Sequence, residues 1–230
     1  MPTYARKHQL EGSLTYHVFN RSNARATIFR CQEDCEYFKR ILIRYSLEFS
    51  MKIYHWAIML THYHLLLEIK EPELISKAIG GIALAYTHYF HKKYDSRGFL
   101  WQGRFNSQPV QKETYMIFCG RYIDRNPVKA GMVAIAENYD YSSAKFYCLG
   151  VDDGITNEDP YYTSLGISAH DRQSKYSEFL RNEKINDDDR WENTELPQGD
   201  KKFVRRIIRL DGRLIPRRLG GSKSKRNLKL

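Results

Sequence analysis

The sequence predicts an α+β fold in which helices cover an antiparallel sheet. The strand-like and helix-like segments follow the order βα ββ α β α, which is neither a series of parallel βα units nor an all-β pattern. Hydrophobic residues make up 42% of the 230 residues and charged residues 28%, as in ordinary globular proteins. No apolar run approaches the roughly 18 residues that a membrane-spanning helix needs.

The first three strands of the predicted sheet lie before residue 70, with one helix among them. Residues 14–19 alternate aromatic and β-branched side chains and predict a strand, and residues 33–50 carry apolar side chains at helical spacing. Residues 52–60 and 63–69 are two strand-like runs with a short break between them, so they predict an antiparallel hairpin. The high apolar content of the second run predicts a central strand.

A helix, a strand and a second helix follow. Apolar residues at three- and four-residue steps predict a long helix over 73–93, and residues 105–111 predict a further strand after the loop 95–104. A helix is expected from Lys112 to about Arg125. Its end is predicted at Asn126-Pro127, because proline disfavours the α conformation in the preceding residue. The chain to about residue 150 is expected to be helix and turn.

The charge divides the chain into three parts. Residues 1–151 hold 20 Lys and Arg against 13 Asp and Glu, residues 152–200 hold 5 against 13, and residues 201–230 hold 12 against 1. We therefore predict a folded domain over 1–150, an acidic connector of helix and loop over 151–200, and a basic helix and tail over 201–230. A basic end indicates a polyanionic partner, most often nucleic acid, the alternative being a solvated tail.

Cysteine usage and the N-terminus predict a cytoplasmic protein. The first residues contain no apolar stretch of the kind found in signal peptides. The four cysteines form no CxxC pair, so neither a zinc ribbon nor a disulfide scaffold is expected: Cys31, Cys35, Cys119 and Cys148.

Two histidines form the first candidate site. His62 and His64 are two residues apart in a strand pattern, so both imidazoles should project from one face while Tyr63 points to the other. Two imidazoles at this spacing can hold one divalent cation. The alternative is that they merely face solvent or a helix.

A tyrosine and an asparagine form the second candidate site. Tyr122 and Asn126 are four residues apart and should share one face of the helix. A phenol with an ordinary pKa of about 10 is a poor nucleophile at neutral pH. A cation on a scissile phosphate would make phosphorus more electrophilic, and Asn126 is a candidate third ligand. The alternatives are a core aromatic for Tyr122 and a helix C-cap for Asn126.

Taken together, these residues resemble a known family. His62-Tyr63-His64 is similar to the His-hydrophobe-His motif of the HUH nucleases. RYIDRNPVKAGMV (121–133) resembles the tyrosine motif of the REP-associated tyrosine transposases, a single-tyrosine branch of that superfamily. Further segments resemble the family in order: HVFNRSN (17–23), HLLLEI (64–69), LWQGRF (100–105), YDYSSAKFY (139–147) and the basic FVRRIIRLDGRLIPRRLGG (203–221).

The resemblance implies a fold, an activity and a set of site residues. The fold would be a ferredoxin-like palm, with His62, His64 and Asn126 as ligands of Mg²⁺ or Mn²⁺ and Tyr122 as the nucleophile. The activity would be a metal-dependent single-strand DNA endonuclease and strand transferase, which forms a 5′-phosphotyrosine link at hairpins of repetitive extragenic palindromes. Such a protein would associate with the nucleoid, and related transposases can share sites between subunits, so a homodimer is possible.

The chain departs from the family pattern at two places. Members commonly have Pro-Asn before the first histidine, where this chain has Leu60-Thr61. They often have an apolar or histidine pair between the tyrosine and Asn-Pro, where this chain has Asp124-Arg125. Neither departure removes a proposed ligand.

Basic and aromatic residues are the predicted DNA contacts. Single-stranded DNA is bound by cations along its backbone and by aromatic rings against unstacked bases. The aromatic candidates, Trp101 and Phe105, have core packing as an equally weighted alternative. The basic candidates belong to the motif segments or to the C-terminal helix: Arg21, Arg104, Arg121, Lys129, Arg205 and Arg206.

Three alternatives remain open from the sequence. The protein could be a catalytically silent nucleic-acid-binding protein on the same fold, which would not need the four site residues together. A zinc hydrolase that uses water is weaker, because no third His, Asp or Glu stands at an obvious ligand spacing. The basic end could be an electrostatic anchor, or residues 201–210 could dock on the rest of the chain through Phe203, Ile207 and Leu210.

Overall fold

A four-stranded antiparallel sheet forms the centre of the molecule. The computed structural model describes residues 14–112, 114–183, 191 and 197–210. The strands are β1 (Thr15–Arg21), β2 (Lys52–Ile58), β3 (His62–Glu68) and β4 (Asn106–Val110), in the order β2-β3-β1-β4. This is the ferredoxin-like order, with β3 central as predicted. His62 begins β3 and does not lie in the break before it.

The helices occupy the predicted segments. They are α1 (Gln32–Glu48), α2 (Ile75–Tyr94), α3 (Thr114–Lys129), α4 (Ala144–Leu149), α5 (Ala169–Arg181) and α6 (Lys201–Leu210). The predicted α+β class, with an antiparallel sheet covered by helices and a basic helix after it, is confirmed. None of the helices described is both long and apolar enough to cross a bilayer. The predicted loop 186–190 and tail 211–230 lie outside the described residues.

The two faces of the sheet pack against different helices. One face carries the larger core, in which Val18, Tyr63 and Leu65 pack against α1 and α2. The other face carries a smaller core in which Leu66 and Val110 pack against α3. Because side chains alternate along a strand, His62 and His64 share this second face and point towards α3.

Helix α3 continues one turn past its predicted end. It runs through Pro127 to Lys129, so the prediction that it ends at Asn126 was wrong. Proline cannot donate the helical hydrogen bond, but the Asn126 Nδ2 amide donates to the Tyr122 carbonyl at 2.8 Å and adds a local bond beside the break. The extra turn brings Lys129 onto the Tyr122 face of the helix.

A buried polar cluster positions α3 on β2. His55 lies between two carboxylates, with Nδ1 at 3.0 Å from Asp124 and Nε2 at 3.4 Å from Asp159. Asp124 also accepts hydrogen bonds from the hydroxyls of Ser143 and Tyr176. The Asp124 departure from the family pattern therefore has a structural use in this chain.

Gly120 lets the helix approach this cluster. A Cβ atom at Gly120 would lie 2.4 Å from Nε2 of His55, closer than real side chains come. The absence of a side chain at this position sets the depth at which α3 sits on the sheet.

Residues 151–183 pack on the sheet domain. The Trp56 indole donates to Asp153 and Thr156, both at 3.0 Å, and the Ile53 amide donates to the Asn157 side chain at 3.0 Å. The predicted division at residue 150 stays a prediction, and these contacts cross it.

Helix α6 is docked on the larger core. Phe203 and Ile207 are buried there, and the Asp200 side chain accepts from the Phe203 amide at 2.8 Å. The Gln111 amide donates to the carbonyl of Gln198 at 2.7 Å, which ties the segment before α6 to the end of β4. Of the docking contacts considered for residues 201–210, those of Phe203 and Ile207 are present. The side chain of Leu210 lies outside the described part of the chain.

Candidate active site

A cavity of about 630 Å³ opens between the second face of the sheet and α3. It lies where β1 ends and where β3 and β4 begin, so that three strands and one helix contribute to it. All four residues predicted for catalysis and metal binding line it. The lining residues are Phe19, Arg21, Arg25, Met59, His62, His64, Gln102, Asn106, Tyr122, Asn126, Lys129, Ala130 and Trp191.

Each histidine of the pair has its Nδ1 atom in a hydrogen bond. Nδ1 of His62 lies 2.9 Å from the Thr61 hydroxyl, and Nδ1 of His64 lies 2.9 Å from Nε2 of the buried His17. The two rings meet edge to face, with 5.0 Å between their centroids. This arrangement leaves the Nε2 atom of each ring as the nitrogen available for a ligand.

The histidine pair is uncharged at neutral pH. Burial, reinforced by the charge of Arg21, lowers the pKa of His62 to about 4. Burial also holds the pKa of His64 well below its usual value, and neighbouring imidazoles and cations act in the same direction. Neutral imidazoles are the form that binds a metal ion.

Tyr122 faces the histidines across the cavity. Its ring packs edge to face against His64, with 5.6 Å between centroids, and against His17 at 5.8 Å. Nζ of Lys129 lies 5.0 Å from the centre of the Tyr122 ring. Asn126 lies one helical turn from Tyr122 and lines the same cavity.

The donors present fit a weakly held divalent cation. They are two neutral imidazoles and one amide, and the Asn126 Nδ2 bond to the helix leaves Oδ1 as the donor atom of that side chain. Among the described residues, no group of three or more His, Cys, Asp or Glu side chains is arranged to hold a metal ion. With three protein donors, the set leaves coordination positions for water or a phosphate oxygen.

The charge of the cavity suits a phosphate backbone. Arg21, Arg25 and Lys129 line it, and the described lining contains no carboxylate. Two of these cations, Arg21 and Lys129, are predicted DNA contacts. Arg104 is exposed but is not among the lining residues. Arg205 and Arg206 are exposed on α6, which contacts the opposite end of β4 from the cavity.

Three of the predicted DNA contacts have partners within the protein. Trp101 packs against Tyr63 and donates its indole N–H to the Ala83 carbonyl at 3.0 Å, and Phe105 is buried in the larger core. Phe105 has the core packing considered for both aromatics, and Trp101 is half-buried against the same core. The third, Arg121, is 2% exposed and donates to the carbonyls of Phe179 and Asn182 in and after α5.

Among the residues at the site that sequence reasoning missed are His17, Arg25 and Trp191. His17 and Arg25 lie in or just after the HVFNRSN segment, so the motif itself was the available signal. Trp191 is buried in the cavity wall, with its ring centroid 6.4 Å from that of Tyr122. A lone tryptophan within an acidic segment predicts a buried side chain, but it does not predict that this side chain lies in the cavity wall.

In the cavity, a histidine pair on a ferredoxin-like sheet faces a tyrosine on a covering helix. The fold and the cavity together point to a transposase. The chain belongs to the IS200-like transposase family: the family model described as "Transposase IS200 like" matches residues 11–126, just over half of the chain. The predicted family and fold are thereby confirmed. No curated protein matches the chain.

Two solved structures are similar to this one. The first is a REP-associated tyrosine transposase bound to a REP hairpin, with a TM-score of 0.54 and 19% identity over 69% of this chain and 93% of that one. At this identity the likeness concerns the fold. The second is a putative transposase from Deinococcus radiodurans, with a TM-score of 0.37 and 19% identity over 44% of this chain and 82% of that one.

Proposed function

We propose that this transposase cleaves and rejoins single-stranded DNA through a covalent link to Tyr122, with a divalent cation bound by His62, His64 and Asn126. The observation that carries the proposal is the meeting of these four side chains in one cavity. The alternative, a catalytically silent binding protein, does not require them to meet.

The protein side chains divide the chemistry between them. Arg21, Arg25 and Lys129 attract the phosphate backbone into the cavity. His62, His64 and Asn126 would hold the cation, which when bound would polarise the scissile phosphate and stabilise the negative charge that develops there. His17 holds the His64 ring in place through the Nδ1 hydrogen bond.

The reaction is a transesterification. The Tyr122 hydroxyl oxygen attacks phosphorus, the bond from phosphorus to the 3′ oxygen breaks, and the 5′ phosphate remains on the tyrosine. The phenolic proton is released and the departing 3′ oxygen takes up a proton, so that a 3′-hydroxyl is left. Attack by a 3′-hydroxyl on the phosphotyrosine reverses the step and rejoins strands.

The proposed substrate is single-stranded DNA beside a palindromic hairpin. The support is the similar fold of the REP-associated transposase, whose structure contains a REP hairpin. The cationic lining of the cavity supports a polyanionic substrate independently of that comparison. A homodimer remains a further proposal, to be tested by the solution mass of the protein with and without DNA.

The nucleophile can be tested with a single substitution. Purified Tyr122→Phe protein, incubated with a hairpin oligonucleotide and Mn²⁺, should form no covalent protein–DNA adduct in a denaturing gel, while hairpin affinity in EDTA stays within about twofold. Only the attacking oxygen is lost, and the aromatic packing against His64 is kept.

Tyr115→Phe is the matched control, since Tyr115 lies on α3 but outside the cavity lining. This variant should form the adduct as the unmodified protein does. An adduct in the Tyr122→Phe protein would assign the nucleophile to another tyrosine, and no adduct with the unmodified protein would favour the silent binding protein.

A further inference from the structure

The loop before β4 presents one aromatic ring to solvent at the edge of the cavity. Phe99 is 90% exposed. Every other Phe, Tyr or Trp in the described part of the chain is buried or half-buried. With Phe105 in the core and Trp101 half-buried against it, Phe99 is the described aromatic side chain most available for stacking on a ligand.

The backbone on both sides of Phe99 is anchored. The Gly98 carbonyl lies 3.0 Å from Nε2 of His91, and Gly98 has a φ of 94°, which favours glycine. The Leu100 carbonyl accepts from the Asn23 amide at 2.8 Å. The exposed ring is therefore carried by a fixed backbone, which lowers the entropy that a ligand would lose on stacking there.

The anchors place Phe99 beside the cavity. Ser22 pairs with Trp101 in an antiparallel bridge, and the Gln102 amide donates to the Arg21 carbonyl at 2.9 Å. Arg21 and Gln102 both line the cavity. Phe99 directly precedes Leu100, whose carbonyl bonds Asn23, two residues before the cavity residue Arg25.

This edge also carries unusual backbone and positive charge. Ala24 and Arg25 have φ values of 52° and 55°, which non-glycine residues rarely adopt and which concentrate at binding sites. Arg25, Arg97 and Arg104 are exposed along the segments that form this edge. A ring among cations is the combination that binds single-stranded nucleic acid, because bases stack on the ring while phosphates contact the cations.

We infer that Phe99 is a stacking platform for one unpaired base of the single strand that enters the cavity, an inference that rests on the proposed function. It assigns to the edge formed by residues 22–25 and 97–104 a subsite for single-stranded DNA. Duplex DNA has no unpaired base to offer and would gain nothing from the ring.

The test measures DNA binding in EDTA, where no cleavage intervenes. The full-length protein is titrated by fluorescence anisotropy with a hairpin that carries a single-stranded flank, and with the same hairpin without the flank. Phe99→Ala should weaken binding of the flanked hairpin about 5- to 150-fold, the range for one stacked base, and leave the flankless hairpin unaffected. Phe99→Trp should keep the affinity.

A scan of single abasic nucleotides through the flank identifies the stacked base. One abasic position should weaken binding to the unmodified protein and cause no further loss with Phe99→Ala. Leu47→Ala, at a side chain 77% exposed on α1, is the control for removal of an exposed apolar group and should bind normally.

Two outcomes would overturn the inference. Equal affinity of Phe99→Ala and the unmodified protein for the flanked hairpin would remove the platform. If Phe99→Ala keeps its DNA affinity but loses a concentration-dependent dimer that the unmodified protein forms, the ring packs against a second copy of the chain. Adduct formation at saturating DNA tests the proposed function separately. An adduct together with unchanged Phe99→Ala affinity supports the nuclease and rejects the platform. No adduct together with weakened Phe99→Ala affinity rejects the nuclease and supports the platform.

Discussion

At the scale of single residues, the site depends on which nitrogen of each imidazole is left for a ligand. The fully buried His17 holds Nδ1 of His64 at 2.9 Å, and burial, opposed by a hydrogen bond with Gln108, lowers the pKa of His17 to about 4. A neutral His17 can accept the His64 Nδ1 proton. With His17 as the acceptor, His64 carries its proton on Nδ1, and Nε2 is the nitrogen that can bind a ligand.

Loss of His17 should therefore weaken metal binding without changing any proposed ligand. We expect His17→Ala to lower Mn²⁺ affinity about 10- to 100-fold by calorimetry, as for other partners of metal-binding histidines. His88→Ala, on the exposed side of α2, is the control. Unchanged affinity in a folded His17→Ala protein would show that His64 needs no such partner.

The buried His55 makes the stability of the protein depend on pH. Burial alone would lower its pKa, but the carboxylates of Asp124 and Asp159 raise it to about 9. The Tyr147 and Tyr176 rings complete its surroundings. The folded protein then holds a proton that the unfolded chain loses above a pKa of about 6.5.

This contribution to stability is complete below pH about 6.5 and is lost as the pH rises towards 9. Urea unfolding in metal-free buffer should therefore show a free energy of unfolding that falls across this window. His55→Gln should be less stable at the acidic end of the window and should show a flatter dependence on pH across it. An identical slope in the two proteins would contradict the charged state of His55.

At the scale of elements, α6 combines a buried apolar side with an exposed basic side. Phe203 and Ile207 face the core, whereas the exposed side chains among the described residues 201–207 are all cations: Lys201, Lys202, Arg205 and Arg206. The helix meets the end of β4 that is roughly 15 Å along the strand from the cavity. Under the proposed function, this helix would contact DNA away from the cavity.

Substitutions on the two sides of α6 should have different effects, one on DNA binding and the other on stability. Changing its four outward cations to Gln should leave thermal unfolding unchanged and reduce the salt dependence of DNA binding, by about 0.9 in the log–log slope for each duplex phosphate that the helix no longer neutralises. Phe203→Ala should instead destabilise the fold by about 3–5 kcal/mol. Lys52→Gln, on the opposite edge strand, is the charge control, and an unaltered salt slope in the four-fold variant would exclude α6 from the DNA-binding surface.

At the scale of the whole molecule, residues 151–183 complete the sheet domain. Asp159 faces His55, Tyr176 donates to Asp124 at 2.8 Å, and Ile155 is part of the larger core. Removal of the segment would leave buried polar groups of α3 and β2 without these partners, and each such group costs about 1–3 kcal/mol.

A fragment that ends at Gly150 should therefore be much less stable than one that ends at Glu183. We expect the fragment 1–150 to unfold at a lower temperature or to lack a cooperative transition by circular dichroism, and the fragment 1–183 to retain one. Equal melting temperatures would support an independent domain over 1–150.

The sequence by itself determined the order of elements and which candidate site residues share a face. Period-two alternation predicts that His62 and His64 share a sheet face, and helical spacing predicts that Tyr122 and Asn126 share a helix face. Both are local regularities, so they can be seen in one sequence. The motif segments added the family, because several short patterns in a fixed order are far more specific than any one of them.

Only the tertiary structure decided which side chains of a motif face the cavity. Trp101 and Arg121 lie in motif segments and yet are held by α2 and α5, while His17, Arg25 and Trp191 reach the site from distant parts of the chain. The physical reason is that burial and hydrogen bonding are satisfied by partners far apart in the chain. Sequence spacing fixes the direction of a side chain along its own element, whereas the packing of the elements fixes what that side chain meets.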